Sequence, residues 1–235
     1  MKILIDNLKK CYGDTVACDI EHLELLPGQL VGLVGNNGAG KTTLFRLLLD
    51  LANADQGYVE IQGINPAKSE EWKHMVGAYI DESFLIDYLS AREYLDFLAK
   101  ANGLDVADGK IDQDNHDGRL TTIMPDDPDR LIRQLSAGNK QKVGIAGAML
   151  HQPGLIVLDE PFNYLDPSGQ IQLKHVLQQY MERHPEAIVL LSSHNLQHTV
   201  DISTRVLLME HGRVVSDLDN TCQQAREALN SYFGE

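Results

Sequence analysis

The chain has 235 residues, a formal net charge of −14, 43% hydrophobic residues and 23% charged residues. That length supports a buried core in one large or two small domains, and the acidic balance argues against a general affinity for nucleic acid or anionic membrane surfaces. No apolar run reaches the about eighteen residues that a membrane-spanning helix requires, and the start, Met1-Lys-Ile-Leu-Ile-Asp6, lacks the apolar segment of a secretory signal. Cys11, Cys18 and Cys222 are odd in number and have no CxxC spacing, so they read as free thiols of a reducing cytoplasm.

Short apolar segments at 3–5, 23–26, 30–34 and 58–61, separated by Gly, Pro, Asn and Asp, predict a β-rich opening interrupted by a helix after Lys41. Another short strand is predicted at 75–80, and Tyr94, Leu95 and Leu98 stand at helical spacing within 91–101. Residues 105–129 turn polar and acidic, with Asp108-Gly and Asp117-Gly turn signals and prolines at 125 and 128, and read as a loop-rich excursion. The runs 155–158 and 187–191 are continuously apolar, as in parallel strands covered on both faces. Helices are predicted at 169–183 and 195–203, and strands at 206–209 and 213–215 form a hairpin around His211-Gly212. The chain continues about twenty residues past that hairpin, which leaves no room for an appended regulatory domain.

Gly35, Asn36, Asn37, Gly38, Ala39, Gly40, Lys41, Thr42 and Thr43 follow one apolar run and precede another, as a phosphate-binding loop does between a buried strand and a helix. Glycines let the backbone curl with its N–H groups inward, and the helix N-terminus adds positive potential. Lys41 is then within reach of the terminal phosphates of a nucleoside triphosphate, and the Thr42 hydroxyl can ligate Mg²⁺. Leu155-Ile-Val-Leu-Asp159-Glu160-Pro161 ends a second buried strand on two acids. Acids at that end of a parallel strand face the ligand crevice: Asp159 is placed to hold Mg²⁺, and Glu160 to act as general base on water.

Leu135-Ser136-Ala137-Gly138-Asn139 opens a helix with Ser136 as N-cap. At this point the chain resembles the ATP-binding subunits of ABC transporters over nearly its whole length. The family signature LSGGQ stands here as Leu-Ser-Ala-Gly-Asn. The other motifs follow in the family's order: an aromatic loop at Tyr12, the phosphate loop, the Asp-Glu strand, Leu165-Asp166 and Ser193-His194.

The resemblance implies an α/β fold: a P-loop NTPase (RecA-like) core with a mainly parallel sheet, an N-terminal antiparallel β subdomain, and a helical signature subdomain inserted at about 81–150. All of it would form a single ABC ATPase domain spanning 1–235. It also implies an ATPase using ATP and Mg²⁺. Tyr12 would stack on adenine. Ser136, Ala137 and Gly138 would contact the γ-phosphate of a nucleotide held by a second subunit in a head-to-tail dimer, homomeric or heteromeric. Asp166 would link the two sites, and His194 would hydrogen-bond the γ-phosphate and hold Glu160 in register.

Such a subunit would power a separate transmembrane permease from the cytoplasmic face of the cell membrane, with no nucleic-acid partner. Three departures from the family pattern stand out. Ala137 replaces a glycine, Asn139 replaces the signature glutamine, and the glutamine expected after the strand at 76–80 is missing. Asp81 most nearly fills that slot, as a ligand of Mg²⁺ and a participant in hydrolysis, with Glu82 as the neighbouring candidate. An acid there is similar to drug- and bacteriocin-resistance exporters and favours export. The alternative is a soluble ABC ATPase of assembly or repair, but neither a sustained heptad nor a second such domain occurs here.

Overall fold

The computed structural model describes residues 1–104, 123–125 and 127–219. Most of the acidic excursion, both its Asp-Gly signals and Cys222 lie outside them. Among the described residues nine strands make two sheets. The smaller is antiparallel in the order β2-β1-β4, from β1 (Ile3–Tyr12), β2 (Thr15–Leu25) and β4 (Gln56–Ile61). The larger has six strands in the order β5-β6-β7-β3-β8-β9. In it β5 (Val76–Tyr79), β6 (Leu155–Leu158), β7 (Ile188–Ser193), β3 (Leu30–Val34) and β8 (Arg205–Glu210) run parallel, and β9 (Arg213–Asp219) closes the edge antiparallel to β8. This is the mixed architecture that the family resemblance implies.

The continuous apolar runs form the middle of the large sheet because both faces are covered. Successive residues of one strand enter opposite cores. Leu30, Ile156, Leu158, Val189 and Leu191 pack with α2 (Ala91–Ala101), α3 (Ala137–Met149) and α4 (Pro167–Arg183). Val31, Leu33, Leu155, Val157, Ile188 and Leu190 pack against α1 (Lys41–Leu48) and the antiparallel sheet. Each fully buried side chain of this kind stabilises the fold by about 1.5–3 kcal/mol, which fixes strand register with little latitude. Phe45, fully buried, anchors α1 beneath its phosphate loop.

Several boundaries differ from expectation. β1 and β2 are much longer than the apolar stubs at 3–5 and 23–26. Asn7, at φ 50, interrupts the alternation beside a register shift, so the pattern read as ending there. α2 coincides with its predicted span, opened by a capping box between Ser90 and Glu93. α4 begins earlier than expected, with Asp166 as N-cap and Pro167 in the first turn. A short helix, α5 (Leu196–Val200), is shorter than the predicted 195–203. Among the described residues no helix is long and apolar enough to cross a membrane.

Candidate functional site

Three adjacent strands deliver the predicted groups to one end of the large sheet, at their C-terminal tips. β3 runs into the phosphate loop, β6 ends at Asp159-Glu160, and β7 ends at Ser193-His194. The loop is compact. Gly40 caps α1 at φ 106, and a Cβ there would lie 2.3 Å from the Ala17 carbonyl oxygen, so only glycine fits.

Lys41 is 6% exposed and lies within the curl. Its ammonium donates to the Gly35 carbonyl at 2.7 Å and stands 3.3 Å from Glu160 Oε1. The Thr42 hydroxyl donates to Asp159 Oδ2 at 2.5 Å. The Ser192 hydroxyl donates to Asp159 Oδ1 and accepts the Glu160 backbone N–H at 2.8 Å. Burial pushes the Asp159 carboxyl above its ordinary value, more than the bonds from Ser192 and Thr42 pull it down. His194 Nδ1 is 2.9 Å from Glu160 Oε2, and the His194 backbone N–H reaches the same oxygen at 3.3 Å. A carboxylate only accepts, so Nδ1 carries its proton there.

Lys41, Thr42, Asp159, Glu160 and His194 therefore form one connected cluster. Two of its members escaped the sequence reading. Ser192 bridges both acids. Gln141, buried in α3, donates to the Glu160 carbonyl oxygen at 3.1 Å and ties α3 to Glu160. Ser192 carried a signal, a polar side chain ending an apolar run, whereas Gln141 stands among Asn139, Lys140 and Lys142 and carried none. Glu160 is itself held at φ 47, a conformation uncommon for a non-glycine residue.

The remaining predicted residues lie apart from this cluster. Ser136 caps α3 by accepting the Asn139 backbone N–H, with Ala137 and Gly138 as the first helical residues. A Cβ on Gly138 would meet the Tyr164 carbonyl oxygen at 2.5 Å. Asp166 caps α4, bonded to Ser168 and to the Gly169 backbone N–H, and those bonds hold its carboxyl below the ordinary range. Tyr12 is 51% exposed, with the Lys10 ammonium 5.5 Å from its ring centroid. Asp81 caps a single 3₁₀ turn. It accepts from the backbone N–H and hydroxyl of Ser83, and its other oxygen stands 3.7 Å from the Arg46 guanidinium. No hydrogen bond or ion pair among the described residues joins Asp81 to Thr42, Asp159 or Glu160.

A family model described as "ABC transporter" matches residues 19–163. The chain belongs to the ABC transporter family. It is 31% identical to the bacitracin transport ATP-binding protein BcrA of Enterococcus faecalis, over 91% of this chain and 68% of that one. It is 30% identical to the sulfate/thiosulfate import ATP-binding protein CysA 1 of Chromobacterium violaceum, over 91% of this chain and 60% of that one. The dimeric structure of MJ0796, a bacterial ABC transporter cassette, superposes with a TM-score of 0.83 at 22% identity, covering 94% of this chain and 99% of that one, and so shares its fold. Within the family the chain is an ATP-binding subunit and an ATPase.

Proposed function

We propose that the chain hydrolyses ATP to drive export through a separate membrane permease, from the cytoplasmic face and as a head-to-tail dimer. The observation that carries the hydrolytic part is the cluster of Lys41, Thr42, Asp159, Glu160 and His194 at three adjacent strand ends. The phosphate loop and Lys41 bind the triphosphate. Glu160, positioned by His194, Gln141 and Ser192, accepts the proton of the attacking water.

The residues present fit Mg²⁺: the Thr42 hydroxyl and the Asp159 carboxylate are oxygen donors already within hydrogen-bond distance, beside the loop that takes the phosphates. Bound there, Mg²⁺ would neutralise charge on the β- and γ-phosphates. Export is favoured by the acid at Asp81; the relatives include both a bacitracin transport subunit and a sulfate/thiosulfate import subunit. The exposed apolar side chains of Phe84, Ile86, Tyr88 and Phe97 support docking of a hydrophobic partner on the segment after β5.

Ser136, Ala137, Gly138, Tyr12 and Asp166 act in the dimer: Tyr12, Ser136, Ala137 and Asp166 are exposed, and Gly138 is half-buried beside Tyr164. Mixing a Ser136→Arg chain with a Lys41→Ala chain tests this. Heterodimers then hold one site free of both lesions, and ATPase activity should exceed the sum of the separate mutants. A wild-type rate for Ser136→Arg alone would overturn the cross-dimer assignment.

A further inference from the structure

Two adjacent acids, Asp81 and Glu82, leave the tip of β5 one strand away from Asp159 and Glu160. Each meets a cation from a different helix. Asp81 Oδ2 is 3.7 Å from Arg46, in the last turn of α1, the helix that begins with Lys41 and Thr42. Glu82 Oε2 is 3.0 Å from Lys140 of α3, whose ammonium-bearing side chain is only 19% exposed. The residue after Lys140 is Gln141, which holds the Glu160 carbonyl oxygen.

We infer that Arg46 and Lys140 are positioning residues. Their ion pairs with Asp81 and Glu82 strap the loop after β5 between the phosphate-loop helix and the signature helix, and so set Glu160 through Gln141. This rests on the reading of Glu160 as the hydrolytic base. Two like charges side by side, near a pocket built for a polyanion, raise the energy of both unless cations neutralise them. Arg46 and Lys140 supply one cation to each. Asp81 then acts by holding the loop: one oxygen is committed to Ser83 and the other faces Arg46.

The straps sit near the surface, so each contributes modestly and is screened by salt. Their effect belongs in the rate of hydrolysis more than in nucleotide affinity. The geometry makes a second distinction. A charge-swapped pair, Asp81→Arg with Arg46→Asp, keeps the strap but leaves no anion at position 81 to hold a metal.

The experiment is a set of double-mutant cycles on the full chain, reading kcat and KM for MgATP hydrolysis, with ATP affinity by calorimetry and folding by thermal melts. Glu82→Lys and Lys140→Glu alone should each lower kcat by about two- to fivefold with KM unchanged, and the double swap should return to within about twofold of wild type. The Asp81→Arg and Arg46→Asp cycle should behave the same way. Where a reversal unfolds the chain, the neutral cycle of Glu82→Gln with Lys140→Gln, and of Asp81→Asn with Arg46→Gln, replaces it and should show the same non-additivity. Additive cycles, or losses confined to KM, overturn the strap. Collapse of Mg²⁺-dependent hydrolysis in Asp81→Asn beside a wild-type rate in Arg46→Gln also overturns it, and assigns Asp81 to the metal. Wild-type chain that neither binds nor hydrolyses ATP would remove the proposed function itself, a result distinct from additive cycles in an active enzyme.

Discussion

The proposed nucleotide site has two unequal halves. The half at the ends of β3, β6 and β7 is buried and internally bonded: Lys41, Asp159 and Ser192 are at most 7% exposed, and each has a partner within the chain. The half that carries Tyr12, Ser136 and Asp166 faces outward. Tyr12 is half-exposed, and Ser136 and Asp166 do no more than cap the helices that follow them. Preorganised polar groups can stabilise developing charge without first reorganising, which is why the proposal gives the hydrolytic step to the buried half. The exposed half is the one the proposal assigns to the dimer contact. That division follows directly if hydrolysis belongs to one chain and its control to two.

The largest effect should come from the buried half. Glu160→Gln keeps the shape and the bond from His194 but removes the base, so kcat should fall by about 10²–10⁴ while ATP binding persists. Steady-state turnover beside calorimetry checks this, and a normal rate would move the base elsewhere. Lys41→Ala comes next. It removes a charge-assisted donor, so ATP affinity should weaken by about ten- to a hundredfold. Binding as tight as wild type would take Lys41 out of the phosphate contact.

Ser192→Ala separates support from chemistry. The hydroxyl is buried and serves both acids at once, so its loss strands the Glu160 backbone N–H and loosens Asp159. Stability should drop by about 1–3 kcal/mol and turnover by about tenfold. A thermal melt and a Mg²⁺ titration of the rate should both shift. A change in only one would confine Ser192 to scaffolding or to metal positioning.

The two halves were also unequally legible in the sequence. Motif spacing located the buried cluster because strand ends, glycine turns and paired acids leave a residue-level signature. The central strands of the large sheet were equally visible, since fully buried parallel strands read as unbroken apolar runs at 155–158 and 187–191, while their arrangement came from the family resemblance. The antiparallel sheet was under-read because it is covered on one face only. Polar residues such as Lys9 and Lys10 therefore sit inside β1, and a shift in register breaks the alternation. Asp166 was read for its role between sites, and its more local duty as cap of α4 put the helix start earlier than expected. The partners of Asp81 could not be found from spacing at all. Arg46 and Lys140 are brought to positions 81 and 82 by tertiary packing of α1 and α3.

The smallest effect is expected where the exposed half departs from its family. Ala137 stands at a family glycine, yet it is the first residue of α3 and is absent from the positive-φ positions of the described chain. Nothing in its backbone demands glycine. Ala137→Gly should therefore leave turnover within about twofold of wild type, with a stability cost of at most about 1 kcal/mol because glycine is the poorer helix former. Gly138 makes the contrast, since a methyl group there would press on the Tyr164 carbonyl oxygen at 2.5 Å. Tyr164 is already at φ 62, and the loop it belongs to runs on to Asp166. Gly138→Ala must push that loop away, so it should impair ATP-dependent dimer formation more than ATP binding. Size-exclusion chromatography of each variant in a Glu160→Gln background measures this. Equal behaviour of the two would mean that the approach of Tyr164 to the signature helix is unimportant. Loss in Ala137→Gly alone would mean that the methyl group at 137 is itself part of the dimer contact.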